Sequence, residues 1–460
     1  MNHSQSERAM AMHTVDEELL EAAFSYLEQR IRISPAPLDR PGDRQELSAV
    51  LADAINAEGN DPRKVLEIYA SHLAPTVISA DSPRFFAFAP NAPTKASLLL
   101  DMIVSCSSLQ GISWLEAAGV VAAEEQALRF LTGLAGMPEQ SRGCFVSGGT
   151  MAALSAFVVA RDAAPASGGN SWVVLGDQTH SSIAQSAKVV GAQPLKILTE
   201  AGRITRQPLV AALDSLPPGD RVIAVAGTAG TTNAGQVDDL AAIADVCHER
   251  EIWFHVDAAY GGAALLAPSR QALFTGIERA DSLVIDPHKW FFAPYDCAAL
   301  LYRNPVLARR AHTQEAPYLD AIHEQDDEWN PADLAHHCSR RARGLPFWFS
   351  LAVHGTDAYR DAVERALWLA AQMAELVERE PQLDLIRRPD LSVVLFRRRG
   401  WERADYERWA RELLDQQIAF VTPTMWNGQT VARMAFVHPA TTAEILTEVI
   451  QSTLGPSQAA

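Results

Sequence analysis

Lys289 lies in "LVIDPHKWFFA", between an apolar run ending at Ile285 and three consecutive aromatic residues, Trp290, Phe291 and Phe292. Lysine is seldom buried unless it is paired or chemically employed, although a lysine snorkelling from a strand end would give the same pattern. Three other short stretches bear on the choice. "SGGT", Ser147 to Thr150, opens a helical run, so its free backbone N–H groups and two hydroxyls can hold an anion. On its own it is also an ordinary helix entry, and it is neither a Walker loop nor a Gly-x-Gly-x-x-Gly fingerprint. "HVDAAYGG", residues 255–262, ends an apolar strand on Asp257, where a carboxylate needs a cationic partner or a turn to cap. "DQTHSS", residues 177–182, sets His180 on a loop between a strand and a helix, a place where histidine often serves as a cap.

Together these residues describe one ligand. An amine able to form an imine, an anion site, a carboxylate that keeps a pyridine nitrogen protonated and a flat side chain to cover a ring are what pyridoxal phosphate requires. Lys289 would carry it as a Schiff base.

Such residues must be brought together by a scaffold. Short β-rich runs recur from near Cys144: "WVVL" at 172–175, "LKIL" at 195–198, "VIAVAG" at 222–227, "WFHVDA" at 253–258, "SLVI" at 282–285 and "CAALLY" at 297–302. Helical periodicity fills 181–190, 206–216 and 236–249 between them. Alternating strands and helices predict an α/β fold with a parallel sheet, and in such sheets ligands collect at the carboxyl ends of the strands. All the residues singled out above fall at such ends. Before this region, residues 1–80 read as helical segments too thin for a domain of their own. Residues 81–350 read as the large domain. Residues 351–460 mix helices (359–378, and from about Thr442) with "SVVLFRRR" and "TVARMAFVHP", and so read as a smaller α+β domain.

The chain has 460 residues, a formal net charge of −17 and a sequence pI near 5.2, which argues against nucleic acid or an anionic membrane as partner. It has no apolar run of membrane-spanning length, and the first residues lack the apolar core of a signal peptide. Five scattered cysteines without a Cys-x-x-Cys pair suit reduced thiols in a cytoplasm and offer no metal knuckle.

The sequence resembles the group II pyridoxal-phosphate amino-acid decarboxylases, which include aromatic-amino-acid, glutamate and diaminobutyrate decarboxylases. The resemblance spans residues 80–450 and rests on "PRFFAFAP" (83–90), "SGGT", "HSS" (180–182), "GTAGTTNAG" (227–235), "HVDAAYGG", "GIERADS" (276–282), "DPHKW" (286–290), "SRRARGLPFW" (339–348) and "HPATT" (438–442). It implies the aspartate-aminotransferase-like fold (fold type I), a mostly parallel seven-stranded sheet with a smaller C-terminal α+β domain. It also implies a homodimer with sites at the subunit interface. Among residues it implies Lys289 as the imine lysine, Asp257 as partner of the pyridine nitrogen and His180 stacked on the ring. Gly149, Thr150 and His288 would meet the phosphate, and Thr228 and Ala259 would line the cofactor pocket.

Departures from the family pattern matter too. Met151 stands where an acidic residue is common, and "VVAAEE" (120–125) replaces a Thr-Glu-Leu-Glu string. The mobile catalytic loop maps to 312–338, and Pro331 falls where many members carry a proton-donating tyrosine. Tyr318, His336 and His337 are the nearby alternatives. The expected reaction is decarboxylation of an L-amino acid. Phe85 and Phe88, with Phe86 and Trp290, are expected to wall an aromatic or bulky apolar substrate. The alternatives are a lyase or an aldehyde-forming oxidative deaminase of the same fold, a decarboxylase of diamino or acidic amino acids, and a cofactor-binding protein without chemistry.

Overall fold

The computed structural model describes residues 9–89, 91–323 and 329–455. Seven strands form one sheet: β1 (Arg142–Val146), β2 (Ser171–Gly176), β3 (Gln193–Ile197), β4 (Arg221–Thr228), β5 (Trp253–Asp257), β6 (Ser282–Ile285) and β7 (Ala298–Tyr302), in the order β1-β7-β6-β5-β4-β2-β3. Pairings among β2 to β6 are parallel, and β7 runs antiparallel to both β6 and β1. Parallel neighbours need a crossover, usually through a helix. No α-helix lies in 286–297 between β6 and β7, so the chain doubles back, and the returning loop is the one that carries Lys289. The central strands are largely apolar and buried over most of their length, as at Leu283, Val284 and Ile285.

Helices cover both faces. In chain order they are α1 (Glu17–Arg32), α2 (Arg44–Val50), α3 (Pro62–Ile68), α4 (Lys95–Cys106), α5 (Trp114–Leu134), α6 (Gly149–Ala163), α7 (Ser181–Val189), α8 (Arg206–Asp214), α9 (Leu240–Glu249), α10 (Pro305–His312), α11 (Leu345–Arg379), α12 (Arg403–Asp415) and α13 (Ala443–Ser452). The helical pattern expected from residue 236 starts four residues later. Asp238 is drawn out of the helix because its carboxylate accepts the backbone N–H of both Ile204 and Thr228 at 2.7 Å. Asp239 then caps α9 through the N–H of Ala242. Helices α1 to α3 bury no residue, and Phe24, Ile55 and Val77 stay exposed.

A second sheet, in the order β10-β11-β9-β8, is built from β8 (Leu383–Leu385), β9 (Val393–Arg398), β10 (Thr424–Trp426) and β11 (Gln429–Ala435). Its core joins Val394, Phe396, Met434 and Phe436 to α11, α12 and α13. Helix α11 straddles the expected division at 350/351. Phe347, near its start, meets Phe145 of β1 with ring centroids 6.4 Å apart. Leu369, Met373 and Val377, near its end, pack into the smaller core. Between them the helix breaks at Gly355 (φ 74°), a conformation that glycine adopts at little cost.

Candidate active site

Five strand ends converge on a cavity of about 290 Å³, lined by Gly148, Gly149, Thr150, His180, Ser182, Thr228, Gly230, Thr232, Asp257, Ala259, Tyr260, Asp286, His288 and Lys289. All eight residues expected at the cofactor are among them. Each arrives by a local device. Helix α6 begins after Gly148 without any side-chain cap, so its first amides are free to meet an anion. Gly149 keeps that entrance open, since a Cβ there would lie 3.2 and 3.4 Å from the Asp286 carboxylate oxygens. His180 is itself the N-cap of α7, its Nδ1 facing the Ser182 N–H at 3.3 Å and the Ser182 hydroxyl at 2.8 Å. Capping and lining the cavity are therefore one placement. Thr228 ends β4, its N–H held by Asp238 and its hydroxyl 3.2 Å from that of Thr179.

The charges are tightly coupled. Lys289 Nζ lies 2.9 Å from Asp286 Oδ2, with its side chain 25% exposed. Burial alone would depress the ammonium's pKa, but Asp286 and Asp257 outweigh it and hold Lys289 above its ordinary value. Asp257 is pushed up by burial, only partly offset by the Lys289 charge and by the Ala259 N–H at 3.1 Å. Burial lowers the His288 pKa. Its Nδ1 accepts the Cys297 N–H at 3.0 Å, so the neutral ring carries its proton on Nε2, 3.5 Å from Asp286.

Asp286 is the residue that sequence reasoning passed over. It is 2% exposed, it neutralises the lysine, and its Oδ1 is buried without a partner. The signal was present, because an acid three residues before a buried lysine shares its side of a turn. Thr232, Gly230 and Tyr260 were missed as well, having no charge to mark them.

Several expected residues lie elsewhere. Phe85 is buried against Phe420, edge-on with ring centroids 5.0 Å apart, and so packs inward instead of walling a pocket. Trp290 is fully buried and stacked on Tyr260 at 5.3 Å, because the chain turns its ring under the sheet end. Phe86 is a core residue too. Phe88 is 60% exposed and has φ 53°. Of the expected loop, residues 324–328 lie outside the described residues. Pro331 is buried in a short 3-10 turn, Tyr318 is exposed, and His337 Nε2 is 3.0 Å from the Pro331 carbonyl, its pKa pushed down to about 4 by burial. Neither these nor His336 lines the Lys289 cavity of their own chain. Met151 packs partly buried against the Val146 and Ala298 cluster. Glu124, from the altered "VVAAEE" string, forms a buried pair with Arg340 at 2.7 Å and accepts the Gly344 N–H.

A larger cleft of about 530 Å³ lies at the amino ends of the strands, against Val222, Trp253, Arg279 and Arg303. Arg279 is committed to Asp245 at 2.6 Å, and Arg303 to the carbonyls of Glu278 and Ala280. Among the described residues no lysine lines it, so the covalent chemistry is assigned to the smaller cavity.

Residues 41–399 match the pyridoxal-dependent decarboxylase conserved domain. An aromatic-L-amino-acid decarboxylase of Bacillus atrophaeus is 30% identical over 428 residues, covering 90% of this chain and 89% of that protein. An L-2,4-diaminobutyrate decarboxylase of Rhizobium meliloti is 30% identical over 371 residues, covering 77% and 74%. Among solved structures, Oryza sativa TDC with PLP and tryptamine superposes with a TM-score of 0.87 at 23% identity, covering 95% of this chain and 97% of that one.

Proposed function

The chain belongs to the family of pyridoxal-dependent decarboxylases, and we propose that within it the protein decarboxylates an aromatic or bulky apolar L-amino acid. It is an amino-acid decarboxylase with pyridoxal phosphate as cofactor. The cavity's donor set fits that group. The uncapped α6 entrance with Thr150 and His288 would hold the phosphate. Lys289 would hold the aldehyde carbon covalently, and Asp257 would hold the ring nitrogen. His180, at the rim, would cover one face of the ring. When bound, the cofactor serves as the sink for the electron pair released as carbon dioxide leaves.

The chain's own residues supply the rest. Asp257 is buried, and its ionised carboxylate would keep a proton on the ring nitrogen through a short charge-assisted contact, where low polarity makes the interaction strong. Asp286 holds the free Lys289 amine in place at 2.9 Å and would keep it within reach as a proton carrier. Water is limited by the walls of Tyr260, Ala259 and Thr228, all under 9% exposed.

The observation that carries the reading is the 2.9 Å contact between Lys289 and Asp286 in the same cavity as Asp257 and an uncapped helix N-terminus. The substrate class rests on the bacterial aromatic-L-amino-acid decarboxylase relative and on the lack, among the described residues, of any arginine in the cavity wall that would pair a side-chain carboxylate. Competition between phenylalanine, tyrosine, tryptophan, glutamate and diaminobutyrate tests it. A higher kcat/KM for glutamate or diaminobutyrate than for every aromatic would overturn it. Pro331 in place of a proton-donating tyrosine favours one second reading, oxidative deamination by dioxygen to carbon dioxide, aldehyde, ammonia and hydrogen peroxide. Assaying the products for amine against aldehyde separates the two. We further take the enzyme to be a cytoplasmic homodimer with its active sites at the subunit interface.

A further inference from the structure

Among the described residues, Arg433 is a buried cation without an acid. It lies on β11 of the smaller sheet, 5% exposed, and forms no ion pair among the described residues. Burial lowers its pKa to about 10, which leaves it charged at neutral pH. Taking a guanidinium out of water without a counter-charge is costly, so its contacts must offset a real penalty. They are all backbone carbonyls. Nε and Nη2 donate to Thr232 O at 2.9 and 2.6 Å, and Nη2 also donates to Phe88 O at 2.7 Å.

Those two carbonyls belong to different parts of the molecule. Thr232 lines the Lys289 cavity and sits on a loop that is already fixed. Gly235 N donates to Thr231 O at 2.7 Å, Gln236 N–H reaches the Thr231 hydroxyl, and Thr424 of the smaller sheet bonds Asn233. Phe88 is held less firmly. The residue is 60% exposed, its ring meets Phe420 with centroids 6.0 Å apart, and its φ of 53° is a left-handed conformation that a bulky residue adopts only when surrounding contacts hold it there. Arg433 is the clamp that ties this strained carbonyl to the cavity wall.

We propose that Arg433 is a positioning residue that fixes the Phe88 backbone beside the Thr232 wall of the site and thereby sets how tightly a bulky substrate side chain is held. The inference rests on the reading above that the Lys289 cavity binds an amino acid. A planar fork can serve two carbonyls at once, whereas a lysine ammonium is a point charge on a flexible stem, so arginine is the residue type this junction needs.

The test uses full-length holoenzyme with tryptophan and alanine as substrates. Arg433→Met is expected to raise the KM for tryptophan on the order of tenfold, as a displaced positioning group does, while kcat and the cofactor dissociation constant change by less than about threefold. Phe88→Ala should give the same KM shift, and the double variant should be no worse than either single one, because both remove one device. Arg433→Lys should fall between Arg433→Met and wild type. Independent, multiplying effects of the two substitutions would overturn the proposal, as would an unchanged tryptophan KM in Phe88→Ala. The latter holds even if Arg433→Met fails to fold, since Phe88 is a surface ring. Wild-type protein that binds no pyridoxal phosphate or releases no carbon dioxide would instead overturn the functional reading on which the inference stands.

Discussion

His255 should make the fold acid-labile directly beneath the active site. It lies on β5, two residues before Asp257, and is fully buried. Its Nδ1 is 2.8 Å from the Ser282 hydroxyl, which already accepts the Trp253 indole N–H, and its ring packs edge-on against Phe157 at 5.2 Å. Nε2 is buried with no partner. A protonated ring would have two donors and one acceptor in neutral surroundings, and burial accordingly lowers the pKa from 6.5 to about 3. The folded-state pKa is below the unfolded one, so the folded chain binds fewer protons between those values. Stability from the neutral ring is then full above pH 6.5 and is lost as pH falls toward 3. A gap of about 3.5 units at about 1.4 kcal/mol each comes to about 5 kcal/mol, an order-of-magnitude figure, or about 1.4 kcal/mol per pH unit within the window. His288, His312, His337 and His438 are also depressed by burial, so the wild-type slope is a sum and the difference between variants is what counts. His255→Asn places Oδ1 where Nδ1 was and keeps the Ser282 contact without a titrating ring. Urea unfolding of the apoenzyme at pH steps between about 7 and about 5 should give a shallower dependence for the variant, by close to one proton's worth, with unchanged m. Parallel pH profiles for the two proteins would refute the reasoning.

Three further outcomes are expected at the site. Lys289→Ala should abolish the visible absorbance of the reconstituted protein and the mass adduct left by borohydride reduction; an adduct surviving in the variant would remove Lys289 from its role. Asp257→Asn keeps shape and loses charge, so the adduct should still form while kcat falls on the order of a hundredfold or more; near-normal turnover would sink the assignment. Gly149→Ala sets a Cβ 3.2 Å from the Asp286 carboxylate and 3.5 Å from the Ala259 Cβ, which should weaken cofactor affinity by about tenfold while the apoenzyme melts no lower, since alanine favours a helix. Unaltered cofactor affinity would show that the cradle does not extend to this atom.

How much of this was legible depended on whether one residue type carried the information. The strand-end positions of Lys289, Asp257, His180 and Thr150 could be read because charge or hydroxyl groups interrupt apolar runs, and alternating rhythm alone gives a parallel sheet. The return of β7 could not be read from the strand itself, since "CAALLY" suits either direction; it follows from the lack of a crossover helix in 286–297. Helices α4 and α5 went unrecognised, because their apolar residues are spread around the axis and do not form a stripe. Phe85, Phe86 and Trp290 were misplaced because an aromatic residue near a site and one in a core look alike in sequence. Only burial, at 8% or below for all three, separates them from Phe88. Arg433 left no trace at all, since its partners are backbone carbonyls far away in the chain.

Charge balance says why the cavity suits its cofactor. Two buried carboxylates, Asp257 and Asp286, share one ammonium, and Asp286 has it at 2.9 Å. Asp257 is left under-compensated, which is the physical content of its raised pKa. A ring nitrogen that arrives with a proton would give Asp257 a counter-charge of its own, while the anion at the far end of the ring would meet the free amides of α6 and the Nε2–H of His288. Covalent capture of Lys289 would withdraw the ammonium from Asp286, whose Oδ1, without a partner among the described residues, faces the same helix entrance. The acid that guards the free lysine would then face the phosphate as a like charge. Swapping Asp286 for asparagine separates those two duties. If guarding dominates, Asp286→Asn speeds adduct formation with pyridoxal and pyridoxal phosphate alike, because the amine loses the charge that keeps it protonated; if repulsion dominates, it tightens pyridoxal phosphate alone. The 2.9 Å contact favours the first outcome, and selective tightening of the phosphorylated form would refute that assignment of Asp286.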